Sequence, residues 1–172
     1  MQPQWGYDDN LFRKEAQIGQ TFTEAVANYL NYHQIKCRAT ELEFAKDIQD
    51  RERFKTGEQD IVFERMPGCL EVKSRRLSFF ETSDSYPYDT AFVDTVSGWE
   101  AKKETPIAVV LISQITRNML VISPSSKPNW TEMNSFDRVR RINETWYQCP
   151  RANLLHIDLL VEYLTRRQAH YA

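Results

Sequence analysis

Two acids and a lysine in the middle of the chain have the types and spacing that suit phosphate chemistry. Asp60 is followed by Glu71, and Lys73 comes two positions after Glu71. Carboxylate oxygens are preferred ligands of hard divalent cations, and a cation held by them polarises a phosphoryl group and lowers the pKa of bound water. A lysine ammonium beside them can orient the attacking water and offset transition-state charge. The three residues therefore predict metal-assisted hydrolysis of phosphodiester bonds.

The flanking sequence predicts that a β-hairpin positions these side chains. Ile61–Phe63 and Leu70–Lys73 are short runs with strand character, and Met66–Gly68 between them has turn chemistry. Because alternate residues of a strand share a face, Glu71, Lys73 and Arg75 project together.

The length of the hairpin loop decides what Asp60 faces. A two-residue turn places Asp60 opposite Arg75, about 13 Å from Glu71 and too far to share an ion. A four-residue loop, Arg65–Gly68, places Asp60 opposite Lys73 and diagonal to Glu71, within reach of one ion. We expect the longer loop, or a bulge with the same effect.

This arrangement resembles the PD-(D/E)XK nuclease superfamily, the fold of many restriction enzymes and Holliday junction resolvases. Asp60 matches the first acid of the motif, Glu71 the second and Lys73 the lysine, whereas Gln59 stands where the family's name has proline. The resemblance covers the chain roughly from residue 11 to residue 123.

The resemblance implies a Mg²⁺-dependent or Mn²⁺-dependent endonuclease acting on DNA, with Asp60 and Glu71 as metal ligands. The runs Glu71–Arg76 and Ser113–Ile122 look like those of small phage-type or resolvase-like members, which implies a structure-selective enzyme. The alternatives are a site-specific homing or restriction-type endonuclease and a non-catalytic DNA-binding or assembly module on the same fold. A surface hairpin with a salt-bridged Lys73 is the simplest non-functional interpretation.

An amphipathic helix is predicted before the hairpin, from about Asp9 to His33, because apolar residues recur at three- and four-residue steps. Glu15 falls within the apolar stripe and needs a partner there, whereas Glu24 points away. Members of the superfamily often place a further glutamate on this helix near the metal. Geometry favours Glu15 as that catalytic acid, while the sequence around Glu24 also looks like the family's helix.

Candidate DNA contacts are two clusters of arginine, because phosphate binding needs localised cations when the net charge is −2. Arg75 and Arg76 adjoin the predicted site. Arg138, Arg140 and Arg141 lie on a helix predicted to begin near Asn129. The alternative for this second cluster is a set of solvated or ion-paired side chains.

The remaining elements predict an α/β fold: a mixed central β-sheet flanked by helices, as in restriction endonucleases. Ile107–Ile115 should be a central strand, with 118–123 returning beside it and a further helix capped by Asp158. Other predictions are strands at 35–44 and 90–96, an exposed connection at 45–56 and a surface segment at 99–103.

Composition predicts one domain over residues 1–172, since a chain of 172 residues with 41% hydrophobic content can fill one core. We expect a soluble, intracellular, cytoplasmic protein with no membrane partner, encoded by a phage if the resemblance holds. A homodimer or higher homo-oligomer is compatible with the sequence. The three widely spaced cysteines predict reduced, packed thiols.

Overall fold

A long amphipathic helix begins the described part of the chain. The computed structural model describes residues 9–44, 59–138 and 141–172, so the connection predicted at 45–56 and Arg140 lie outside the described residues. Helix α1 spans Asp9–Tyr32, which confirms the predicted helix. Its apolar stripe packs against the sheet, and Val26 and Leu30 are fully buried.

The described residues also form nine strands and two further helices. The strands are β1 (Cys37–Ala39), β2 (Ile61–Phe63), β3 (Cys69–Arg75), β4 (Thr90–Thr95), β5 (Ala108–Ser113), β6 (Met119–Ile122), β7 (Thr131–Asp137), β8 (Ile142–Pro150) and β9 (Leu155–His156). The helices are the short α2 (Val96–Glu100) and α3 (Ile157–His170).

Six strands form a mixed central sheet in the order β1-β2-β3-β5-β6-β9. The pairs are antiparallel except for β3 and β5, which run parallel and align Lys73 with Leu111. Every residue of β5 is buried, as expected for a strand covered on both faces. The predicted central strand, the strand returning beside it and the β2–β3 hairpin are therefore confirmed.

The two faces of the central sheet are covered differently. Helices α1 and α3 pack on one face, in a core that includes Leu70, Val110 and Leu164. The second face packs against a three-stranded sheet with the order β4-β8-β7. The predicted mixed central sheet with flanking helices is confirmed, whereas the second sheet was not predicted.

The prediction of a helix beginning near Asn129 is wrong, because this part of the chain forms the antiparallel β7–β8 ribbon. Phe136 and Ile142, which such a helix would pack inward, are 55% and 40% exposed. Pairing of β8 with β4 selects the extended conformation in spite of helix-like apolar spacing. Arg138 and Arg141 consequently lie at the exposed tip of the ribbon.

Helix α3 is present as predicted, with two differences in detail. The N-cap is His156, whose Nδ1 accepts a hydrogen bond from the Asp158 backbone, and Asp158 lies in the first turn. The spacing of this helix predicts that Leu159, Leu160, Tyr163 and Leu164 pack inward. Leu160 and Leu164 do so, whereas Leu159 and Tyr163 are about half exposed.

The thiols of Cys37, Cys69 and Cys149 are reduced and buried, which confirms the predicted role of the cysteines in packing. Burial raises the pKa of each thiol to about 11. Among the described helices, none combines the length and apolar content needed to cross a bilayer.

Candidate active site

The β2–β3 hairpin brings Asp60 and Glu71 to facing positions. Ile61 pairs with Leu70 and Val62 with Cys69, so the next position of the same register sets Asp60 opposite Glu71. The four-residue loop was expected to set Asp60 opposite Lys73, and this prediction is wrong. The connection is longer still, and both acids remain on the same face of the sheet.

Two turn residues account for this longer connection. Met66 is only 6% exposed and packs into the helix-side core, so the loop folds inward to bury it. Gly68 has φ +108, a conformation that favours glycine, and a Cβ there would lie 2.6 Å from Ile107 Cδ1. Neither requirement can be deduced from the turn composition alone.

Asp60 is held by the backbone of the neighbouring strand. Its Oδ2 accepts a hydrogen bond of 2.7 Å from the Val72 amide, and its own carbonyl accepts one of 2.9 Å from the Thr40 amide. Burial raises the pKa of Asp60 in spite of the lowering effects of Lys73 and of the Val72 hydrogen bond.

Glu71 and Lys73 form a short ion pair. Lys73 Nζ lies 2.6 Å from Glu71 Oε1, and the side chains are 25% and 12% exposed for Lys73 and Glu71. Burial alone would lower the pKa of Lys73, but the carboxylates of Glu71, Asp94 and Asp60 more than compensate and raise it. Lys73 is therefore a permanent cation in the neutral pH range.

Asp94 and Lys102 complete the cluster, and neither was predicted as a site residue. Lys73 Nζ lies 3.7 Å from Asp94 Oδ1. Lys102 Nζ lies 3.0 Å from Glu71 Oε2 and 3.1 Å from Asp94 Oδ2, so its ammonium bridges two carboxylates. Burial opposes the charge of both residues, but Lys73 and Lys102 lower the pKa of Asp94, and Glu71 and Asp94 raise that of Lys102.

The β4–α2 unit delivers both of these side chains. The pairing of β4 with β8 is irregular between Phe92 and Thr95, and Asp94 lies in this interval. Asp94 Oδ1 also accepts from the Thr95 amide, and the Thr95 side chain caps α2 through the Gly98 amide. One helical turn later, the Lys102 amide donates to the Trp99 carbonyl, which returns the lysine toward Asp94.

The prediction that residues 99–103 form a surface segment is wrong for Trp99 and Lys102. Trp99 is 7% exposed, and the side chain of Lys102 is 20% exposed. Charge alternation does not reveal which of two adjacent lysines turns inward. Asp94 gave no local signal either, because it occupies a partly exposed position in the alternating pattern of β4, where an acid is ordinary.

A groove of about 730 Å³ opens beside the cluster, a volume typical of ligand-binding clefts. It is lined by α1, by residues 40–44 and by the hairpin, including Asp60, Lys73 and Arg75. Glu15 also lines it and forms an ion pair with Arg76, so the acid on the apolar stripe does have a partner. Glu24 is exposed and lies near Gln20 instead.

The four candidate DNA-binding arginines within the described residues occupy different environments. Arg75 is half-buried, its Nη2 donates a 2.9 Å hydrogen bond to the Phe92 carbonyl, and burial lowers its pKa. Arg76 is exposed beside the groove. Arg138 and Arg141 are exposed and separated from both by the length of the ribbon.

The donor atoms of the cluster fit a hard divalent cation by their chemistry, because Asp60, Glu71 and Asp94 supply carboxylate oxygens. A positively charged group already sits between two of them, at 3.0 and 3.1 Å. Within residues 9–44, 59–138 and 141–172, no group of three or more His, Cys, Asp or Glu side chains is arranged to hold an ion. Metal binding at this cluster would therefore require side chains to move.

The fold thus brings together Asp60, Glu71 and Lys73, adds Asp94 and Lys102, and places Glu15 on the adjoining groove. The chain has no significant match among protein-family models, curated proteins or solved structures. Function is therefore inferred from these side chains themselves.

Proposed function

We propose that the chain is a metal-dependent endonuclease of the PD-(D/E)XK type that hydrolyses DNA phosphodiester bonds. The observation that carries this proposal is the convergence of Asp60, Glu71 and Lys73 beside a groove of about 730 Å³. Asp60 and Glu71 face each other across two strands, as a shared ion requires. Asp60 and Glu71 would hold Mg²⁺ or Mn²⁺, which would supply the Lewis acidity that polarises the phosphoryl group.

Lys73 has the charge and position to act on the reacting atoms. Its raised pKa keeps it protonated, so it donates hydrogen bonds and stabilises negative charge but does not serve as the base. It lines the groove and is anchored by Glu71, which limits its motion before substrate arrives. Lys73 would orient the attacking water and stabilise the phosphorane-like transition state.

Two surfaces would bind the DNA backbone. Arg75 ends β3 and Arg76 follows it, with Glu15 positioning Arg76 through its ion pair. The β7–β8 ribbon would form the second surface, since Arg138 and Arg141 are exposed at its tip. Contacts at these two separate surfaces would suit a resolvase-like, structure-selective preference.

The test is cleavage by wild type and by Lys73→Ala with saturating Mg²⁺ or Mn²⁺. The substrates are linear duplex, single-stranded, flap and four-way-junction DNA. Wild type should cleave at least one of them, and Lys73→Ala should lose about 100-fold or more in kcat with little change in KM, because its interaction strengthens in the transition state. Lys103→Ala is a matched control, since Lys103 is an exposed lysine that follows Lys102 in the chain.

Cleavage by Lys73→Ala at the wild-type rate would contradict the proposed role of the hairpin. DNA binding by the wild type without cleavage of any substrate would favour the non-catalytic binding module. The same substrate panel separates a structure-selective enzyme from a site-specific one, because the latter cuts linear duplex at one sequence.

A further inference from the structure

Lys102 occupies the place where a cation would bridge two acids of the site. Its ammonium lies 3.0 Å from Glu71 Oε2 and 3.1 Å from Asp94 Oδ2, and the three side chains are 20%, 12% and 14% exposed for Lys102, Glu71 and Asp94. We propose that Lys102 is an internal competitor of the divalent cation, and that Asp94 becomes a metal ligand when Lys102 withdraws. This inference rests on the proposed function for the presence of the ion.

The charges of the cluster favour exchange over simultaneous binding. Asp60, Glu71 and Asp94 carry three negative charges when ionised. Lys73 and one divalent cation neutralise them, whereas retaining Lys102 as well leaves one positive charge in a shielded site. The ion and the Lys102 ammonium would also repel each other at short range, where water screens least. Lys102 therefore has to leave as the ion binds.

Lys102 is the lysine that can move. Lys73 lies within β3, where its backbone pairs with Leu111 between two neighbouring strands. Lys102 follows the C-cap of α2, outside any helix or strand, and the next two residues are exposed. A lysine side chain has a flexible four-carbon stem, so its ammonium can swing into solvent without a change in the sheet.

Withdrawal of Lys102 would free one oxygen of each acid. Glu71 Oε1 keeps its contact with Lys73 while Oε2 loses its cation, and Asp94 Oδ2 does likewise. Glu71 Oε2 is buried and makes no other hydrogen bond within the described residues, so the Lys102 ammonium at 3.0 Å is the group that compensates its charge. An oxygen in this position binds a metal in preference to remaining unpaired.

The first test is Mn²⁺ binding, measured by calorimetry without DNA. Lys102→Met should bind Mn²⁺ about tenfold more tightly than wild type, because one competing positive charge is removed. Lys103→Met removes the same charge from an exposed neighbour and should bind as wild type does. Asp94→Asn should bind about tenfold more weakly. Equal or weaker binding by Lys102→Met would overturn the inference.

The second test uses the wild-type protein, so it decides the matter even if Lys102→Met does not fold. Acetylation of individual lysines by acetic anhydride is followed by mass spectrometry with and without Mn²⁺. Lys102 should react slowly at first and several-fold faster with Mn²⁺, since the ion releases it from Glu71 and Asp94. Lys103 should react at one rate throughout. Unchanged or slower acetylation of Lys102 at saturating Mn²⁺ would overturn the inference.

These outcomes are distinguishable from failure of the proposed function. Metal exchange at Lys102 in a protein that cleaves no DNA would support the exchange and reject the nuclease. DNA cleavage by wild type, together with equal Mn²⁺ affinities of wild type and Lys102→Met, would support the nuclease and reject the exchange. Absence of Mn²⁺ binding in both wild type and Lys102→Met would also reject the exchange.

Discussion

Asp60 and Asp94 are acids of one cluster, yet their surroundings affect them in opposite directions. For Asp60, burial outweighs Lys73 and the Val72 amide, so its pKa is raised above 3.8. For Asp94, burial is outweighed by Lys73 and Lys102, so its pKa is lowered below 3.8. Ionised Asp60 therefore opposes folding, whereas ionised Asp94 favours it.

This contrast predicts opposite effects of two isosteric substitutions in metal-free protein at pH 7. Asp60→Asn should raise the free energy of unfolding by about 1 kcal/mol, because it removes a buried charge and retains an acceptor for the Val72 amide. Asp94→Asn should lower it by a similar amount or more, because two lysines lose a partner. Urea denaturation measures both.

The pH dependence follows from the same signs. The folded state holds the Asp60 proton more tightly, so the Asp60 contribution to stability falls as pH rises from 3.8 through its raised pKa. The Asp94 contribution is present above 3.8 and is lost as pH falls through its lowered pKa. If Asp60→Asn and Asp94→Asn changed the free energy of unfolding at pH 7 in the same direction, these assignments would be contradicted.

At the scale of elements, the β7–β8 ribbon is the feature that departs most from a packed fold. Strand β8 pairs with β4 only as far as Thr95 and Trp146, beside Asp94, and then continues with β7 alone. From the pair Met133–Trp146 to the pair Asp137–Ile142, the ribbon extends by about 14 Å at the usual strand rise. It thus projects from the edge of the candidate site.

A ribbon of this kind fits the major groove of B-DNA, which predicts the effect of removing its basic tip. The double substitution Arg138→Ala with Arg141→Ala should weaken duplex binding. The slope of the logarithm of the binding constant against the logarithm of salt concentration (the salt slope) should decrease in magnitude by about 2, one for each phosphate contact. Titration at several salt concentrations, with a fluorescent duplex and Mg²⁺ omitted, measures this effect.

The matched control is the double substitution Arg38→Ala with Arg65→Ala, which removes the same charge from two exposed positions, one in β1 and one in the β2–β3 connection. It should change the salt slope little. An equal loss in both double variants would mean that the ribbon contributes only net charge. Self-association through the exposed Met133 and Phe136, detected by sedimentation, would instead identify the ribbon as a contact between copies.

The sequence predicts elements well where one local signal is sufficient. Helical spacing locates α1, a continuous apolar run locates β5, and Pro67–Gly68 locates the hairpin turn. The prediction of the β2–β3 register failed because this register depends on the burial of Met66, which is a tertiary contact. The prediction for the ribbon failed because β7 contains no buried residue, so apolar spacing carried no information about that strand.

The site shows the same division between local and tertiary signals. Asp60, Glu71 and Lys73 lie within one hairpin and could be predicted together. Asp94 and Lys102 enter through an irregular strand and a short helix, whose directions depend on the pairing of β4 with β8. Nothing in their local spacing connects them with Glu71.

At the scale of the whole molecule, the central sheet separates two cores that differ in character. The helix-side core is mainly aliphatic, whereas the core between the sheets contains Phe79, Tyr86 and Trp99. Cys37 lies in the first core and Cys149 in the second. Both thiols are buried, and each has a pKa raised by burial to about 11.

The alkylation rates of Cys37 and Cys149 therefore report how often the core around each thiol opens to solvent. At neutral pH, a rise in pKa from 9.0 to about 11 reduces the reactive thiolate about 100-fold, and burial blocks access as well. Alkylation of Cys37 and Cys149, followed by peptide mass spectrometry, should be more than 100-fold slower in native protein than in urea. Equal rates at the two cysteines would indicate that the layers open as one unit, and unequal rates would rank them. Fast modification of either thiol in native protein would contradict its burial.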